Sequence, residues 1–245
     1  MNSKVRPVRI GMIVPSSNTC LEPQTASLLG GRRDVSVHYT RIPVTHISLD
    51  QDSTHQFDRE VMAEAAQLLA TAEVDVIAWN GTSGSWLGLT GDHEISDLIT
   101  EVTGIRATTT TLAFFEAFRV LNISRIGLLT PYTEDVNKQI VERYAENGIQ
   151  VVDDYYSDLA VNESFARVTP AEITKGTEAL AAQRPQAVTY VCTNLFGAPV
   201  VSRLERRLDV DILDSVVVTL WQCLRVTGAA GVDPRWGRRL AETPD

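Results

Sequence analysis

The chain of 245 residues predicts an α/β fold of two similar halves, each a small doubly wound parallel sheet. Three observations carry this expectation. Short apolar runs alternate with longer amphipathic ones, the pattern of strands that cross over to helices. Three segments recur in the same order at slowly drifting offsets, which indicates an internal duplication. The apolar runs also empty into loops of small, hydroxyl and amide residues, and ligands of doubly wound sheets sit beyond the carboxyl ends of the strands.

In chain order, residues 8–14 (VRIGMIV) form a strand-like run interrupted by Gly11 and stopped by Pro15. Asn18 then suits a helix N-cap, with Glu22-Pro23 in the first turn. Further strands are expected at 35–42, 74–79, 105–107, 125–129, 150–156, 187–192 and 212–214. The clearest helices fall between them at 57–72, 109–121, 133–146, 170–183 and 217–226, with Thr133 as a good N-cap. The stretch 234–245 is polar and is expected to lie along the surface.

The repeat sharpens this order into two halves. Arg9-Ile10-Gly11, leading to Pro15-Ser16-Ser17-Asn18, is echoed at an offset of 116 by Arg125-Ile126-Gly127, leading to Thr130-Pro131-Tyr132. The segment from Val76 to Ser83 is echoed from Gln186 to Asn194, pairing Thr82 with Thr193 at 111, and Phe118-Arg119-Val120 by Leu224-Arg225-Val226 at 106. The halves are placed at 1–118 and 119–245, with their terminal segments exchanged. The expected fold is thus two pseudosymmetric, flavodoxin-like parallel-sheet halves with a site between them. In this register Cys192 faces Gly81 across the pseudo-twofold: one half offers a thiol, the other nothing.

A net charge of −9 argues against nucleic acid or an anionic membrane as partner, though not against an anionic small molecule. No apolar run approaches the ~20 residues of a membrane span, and the N-terminus lacks a signal peptide's small-residue cleavage pattern. The three cysteines, Cys20, Cys192 and Cys223, form no CxxC and are odd in number. Reduced thiols in a cytoplasmic setting are expected, and a homo-oligomer is compatible with the sequence. No GxGxxG follows a strand, and His38, His46, His55 and His93 lack metal-ligand spacing, so neither a cofactor nor a metal is expected.

Four loops then carry the chemistry. Cys192, at a strand end before Thr193-Asn194, is either a buried structural cysteine or a thiol depressed below its free value of ~8.5 to serve as acid, base or nucleophile. Thr82 and Ser83, with the N–H groups around Gly81 and Gly84, can bind a carboxylate and the enediolate derived from it, or simply cap the next helix. Tyr132 can donate to the same oxyanion or pack. Asn18 can donate to a carboxylate or cap its helix. Cys223 reads as helix packing, Cys20 adjoins the Asn18 loop, and Trp79 and Trp86 flank Thr82-Ser83 as core or pocket wall.

Read together, GMIVPSSNTCLEP, NGTSGS, ATTTTLAFFEAFRVL, TPYTEDVN, CTN and WGRRL resemble the aspartate/glutamate racemase superfamily, in its maleate cis-trans isomerase and arylmalonate decarboxylase branch. The resemblance implies a cofactor-free enzyme acting on mono- or dicarboxylates, with Thr82, Ser83 and Tyr132 as a dioxyanion hole. Racemases and maleate isomerases of the superfamily carry one cysteine per half. Here the second is Cys192 and the first position is Gly81, as in the arylmalonate decarboxylases. The loops with Asn18, Thr193 and Asn194 look more like the isomerases, in which Asn18 and Asn162 would grip a second carboxylate.

Two-base racemisation needs an acid and a base on opposite faces, which Gly81 does not supply. Decarboxylation needs one proton from one acid. The leading expectation is a decarboxylase of malonate-type acids, aryl- or alkenyl-substituted, with Cys192 as its acid. The alternatives are a maleate-like cis-trans isomerase with Cys192 as nucleophile, and a non-catalytic carboxylate binder. Restoring a thiol by Gly81→Cys is expected to add racemising ability.

Overall fold

Parallel strands covered by helices on both faces read as continuous apolar runs. The two central runs behave this way: every residue of VIAW at Val76–Trp79 and of AVTY at Ala187–Tyr190 is buried. The computed structural model describes residues 6–47, 49 and 59–243. In it β1 (Val8–Pro15), β2 (Val35–Ile42), β3 (Val76–Trp79) and β4 (Ala107–Thr109) form a parallel sheet in the order β2-β1-β3-β4. β5 (Arg125–Thr130), β6 (Gln150–Tyr156), β7 (Ala187–Tyr190) and β8 (Asp211–Asp214) form a second, in the order β6-β5-β7-β8.

The matching orders express the duplication, and the strand register fixes its alignment. Ile10 pairs with Val76 in the first sheet and Ile126 with Ala187 in the second, reproducing the offsets of 116 and 111. Gly81 and Cys192 are therefore each the second residue beyond the end of a central strand. The third echo is off by one. Trp79 pairs with Thr109 and Tyr190 with Asp214, an offset of 105, so Phe118 corresponds to Cys223 rather than to Leu224.

The described helices are α1 (Leu21–Leu29), α2 (Arg59–Ala70), α3 (Gly84–Leu87), α4 (Leu89–Thr103), α5 (Thr110–Leu121), α6 (Glu134–Glu146), α7 (Asn162–Phe165), α8 (Pro170–Ala181), α9 (Ala198–Leu208), α10 (Ser215–Thr227) and α11 (Arg238–Ala241). The symmetry mates α5 and α10 pack together at the seam, where Thr219 Oγ1 donates to Thr110 Oγ1 at 2.9 Å. The division drawn at 118/119 passes through the last turn of α5.

Differences from the expected elements have local causes. The run at 187–192 stops pairing at Tyr190, because the chain bends there to meet Ser215 Oγ with the Cys192 N–H. The run at 105–107 pairs two residues later, since Thr109 ends β4 and caps α5 by accepting from Leu112 N. Residues 57 and 58 of the helix expected at 57–72 lie outside the described residues. The C-terminal stretch does more than lie along the surface: Leu240 is buried and Arg239 bonds both Asp211 and the Leu121 carbonyl.

Candidate active site

Four strand ends bring their loops to one crevice of about 300 Å³, its mouth included. Pro15 closes β1, Trp79, Gly81, Thr82 and Ser83 follow β3, Tyr132 follows β5, and Cys192 and Thr193 follow β7. Val44, Ile47, Trp86 and Asn162 complete the wall. The segment with Val44 and Ile47 reaches the seam by pairing: His46 bridges Val161 antiparallel, and Ile47 N–H donates to the Ala160 carbonyl at 3.1 Å. Val44 and Ile47 were not singled out from the sequence, although two apolar residues in an otherwise polar connection (IPVTHI) are a signal for a buried loop.

Cys192 is almost wholly buried. Its N–H donates to Ser215 Oγ at 2.9 Å, which pins it against the start of α10. Burial pushes the thiol up to about 12, although the Tyr132 hydroxyl and the Asn194 N–H pull the other way. This reverses the expected depression. Desolvation outweighs these two hydrogen bonds, and the thiol form is favoured. At neutral pH Cys192 is a thiol with a proton to give.

Opposite it stands a cradle of hydroxyls. Thr82 Oγ1 and the Tyr132 hydroxyl are 2.6 Å apart, a contact across the two halves. The Tyr132 ring is held edge-on by Trp86 and by Phe165, with centroids at 5.3 and 5.2 Å. Burial raises the Tyr132 hydroxyl well above its usual range, so it stays protonated as a donor. Ser83 heads the short helix α3 without a side-chain cap, and its Oγ accepts from the Trp79 indole N–H at 3.4 Å. The capping alternative for this loop therefore does not describe its hydroxyls.

The amides divide differently from expectation. Asn18 Oδ1 caps α1 by accepting from Cys20 N and Leu21 N, while its Nδ2 donates to Thr193 Oγ1 at 3.1 Å. Thr193 Oγ1 in turn donates to the Asn80 carbonyl at 2.9 Å. Asn162 lines the crevice, and its Nδ2 donates to Ser17 Oγ at 2.7 Å. Asn194 is not part of the wall. Its Oδ1 accepts from Thr19 N and Cys20 N and its Nδ2 donates to the Asn162 carbonyl, so its side chain ties three loops together rather than facing a substrate.

Gly81 lies under the Trp79 indole. A Cβ on it would lie 2.2 Å from Cζ2 and 2.7 Å from Nε1 of the Trp79 indole. The place of the missing thiol is thus filled, and a Gly81→Cys side chain needs the Trp79 ring to move aside. Cys20 and Cys223 are buried with their thiols pushed up, Cys20 close enough to Cys192 and Asp214 to feel both. Of the histidines, His38 shares a hydrogen bond with Ser36 Oγ, His93 is exposed on α4, and His55 lies outside the described residues. Among the described residues no group of three or more His, Cys, Asp or Glu is placed to hold a metal ion.

Asp214 carries no functional signal in its local sequence. It is fully buried at the end of β8, where Oδ1 caps α10 and Oδ2 has no hydrogen-bond partner among the described residues. Burial raises it to about 7. Unfolded, it would titrate near ~4. Between those values the folded chain holds the extra proton, so stability is greatest at the acid end and falls as pH rises. The loss from pH 4 to 7 is on the order of 4 kcal/mol at most. Thermal unfolding followed from pH 5 to 7.5 should show a falling Tm, and Asp214→Asn should flatten the slope.

Paired α/β halves with a crevice at their seam are the architecture of the aspartate/glutamate racemase superfamily. Within it, the chain belongs to the arylmalonate decarboxylase family, whose model matches residues 10–239. It is 24% identical to a maleate isomerase of Geobacillus stearothermophilus over 95% of this chain and 97% of that one. It is 25% identical to an arylmalonate decarboxylase of Bordetella bronchiseptica, over 96% and 97%. Among solved structures, a mutant of the Nocardia farcinica maleate cis-trans isomerase with a covalently bound succinylcysteine intermediate superposes at a TM-score of 0.88, with 21% identity over 97% of this chain and 99% of that one. Among the described residues no helix is long and apolar enough to cross a membrane.

Proposed function

We propose that the protein is a cofactor-independent decarboxylase of malonate-type dicarboxylic acids bearing an aryl or alkenyl group. The observation that carries this reading is that Cys192 is the one cysteine among the described residues lining the crevice, facing a glycine position that supplies no second acid or base. One carboxylate of the substrate sits on Thr82, Ser83 and Tyr132. The bond from the α-carbon to the other carboxylate breaks, its electron pair stays with the α-carbon, and carbon dioxide leaves. The resulting enediolate is stabilised by the hydroxyl donors, which were aimed at it before the charge developed. The Cys192 thiol gives its proton to the α-carbon, and the thiolate recovers one from water.

The runner-up is cis-trans isomerisation of a maleate-like diacid, favoured by Asn162 on the crevice wall and by the maleate isomerases among the relatives. That chemistry begins with sulfur attacking the alkene, and a thiol held near 12 is a poor thiolate source at neutral pH. Phenylmalonate and maleate, each incubated with the protein and followed by proton NMR, separate the two. Phenylacetate from the first with maleate left intact is expected. Fumarate from the second, with phenylmalonate unchanged, would instead establish the isomerase. Turnover of neither across a broad acid panel would leave a carboxylate binder.

A further inference from the structure

We propose that Trp79 is the residue that confines the chemistry to one face of the substrate, an inference that rests on the decarboxylase reading above. Its indole lies over Gly81, in the space where a side chain at that position would project. The Cβ contacts of 2.2, 2.4 and 2.7 Å fall on Cζ2, Cε2 and Nε1, well inside the ordinary contact distance of roughly 3.4 Å and beyond. The ring is fully buried, lines the crevice and is anchored in the oxyanion loop through its N–H on Ser83 Oγ.

The two halves differ here in a way that matters. Tyr190 ends β7 as Trp79 ends β3. The Tyr190 hydroxyl bonds Thr177 Oγ1 on α8 at 2.7 Å, which draws that side chain away towards its own half. Cys192 is left to line the crevice, while Trp79 covers the symmetry-related position. A planar enediolate lying between the halves therefore meets a thiol on one side and an aromatic wall on the other. With the ring in place the walled face is shielded from water and from any side chain at position 81. The glycine is thus required by the tryptophan, and the single-acid site is enforced by sterics as well as by residue identity.

A malonate with two different substituents, 2-methyl-2-phenylmalonate, reads the face directly, because its product is chiral. The wild type should give 2-phenylpropionate as essentially one enantiomer, and Trp79→Leu should raise the minor enantiomer several-fold. Gly81→Cys alone should not racemise 2-phenylpropionate, whereas Gly81→Cys with Trp79→Ala should. A thermal-unfolding cycle tests the packing independently of turnover. Gly81→Ala should lower the Tm clearly in the wild type and only slightly on the Trp79→Leu background. Wild-type turnover with enantiomeric excess unchanged in Trp79→Leu would overturn this proposal, as would additive Tm effects. Absence of wild-type turnover would overturn the decarboxylase reading itself.

Discussion

Cys192→Ala should lower kcat on phenylmalonate by at least ~10³, with the fold intact. A positioned general acid contributes about 10²–10⁴ in rate, and here no other group stands ready to replace it. Cys20 is walled in with its thiol pushed further up still, and the position across the seam is covered by the Trp79 ring. The substitution removes one buried sulfur atom, and Cys192 keeps its place because the N–H, not the side chain, bonds Ser215. Unfolding measured beside kinetics should therefore show a modest loss of stability against a very large loss of rate. The wild-type pH profile adds a sign. An acid acts while protonated, so a thiol near 12 should leave kcat without a descending limb between pH 7 and 9. A fall centred near ~8.5, the free thiol value, would show that burial does not hold the proton on.

Much of this arrangement was legible in the chain because the duplication is. The β1/β5 and β3/β7 pairs read as continuous apolar runs, and their matched offsets alone set Cys192 against Gly81. The hydroxyl cradle was equally readable, since Thr82, Ser83 and Tyr132 each follow a strand end. What local sequence does not carry is where a side chain goes after its strand. Trp79 and Tyr190 occupy the same place in the duplicated register, yet one covers Gly81 and the other bonds α8. The direction of the Cys192 shift was missed for a related reason. It is set by burial at the seam and by the nearby Asp214 carboxyl, both tertiary facts. Asn194 looks like a ligand residue in CTN, but long-range backbone groups at Thr19, Cys20 and Asn162 claim its amide. Helices α4 and α9 escaped clear recognition because α4 carries Gly91 inside it and α9 opens on Ala198-Pro199 after an irregular turn.

Tyr132→Phe should lower kcat by about 10²–10³ and leave KM nearly unchanged, the signature of a donor that matters in the transition state. The hydroxyl sits 2.6 Å from Thr82 Oγ1, and the ring is held from both sides by Trp86 and Phe165, so the donor is fixed before substrate arrives. Its raised pKa keeps the proton in place at any pH at which the protein would be assayed. Charge is spread over a carboxylate in the ground state and grows at that end as carbon dioxide leaves, so the bond strengthens along the reaction. Removing it costs roughly 3–4 kcal/mol of barrier, at 1.36 kcal/mol per decade. The folded state loses the hydroxyl's contacts with Thr82 and the Cys192 thiol, each worth about 1 kcal/mol. Phenylalanine keeps the ring and both edge contacts, so a drop in Tm as severe as the drop in rate would mean the hydroxyl serves packing. A KM rise with kcat intact would make Tyr132 a binding group for the ground state, and the enediolate would then have to be held by Thr82 and Ser83 without it.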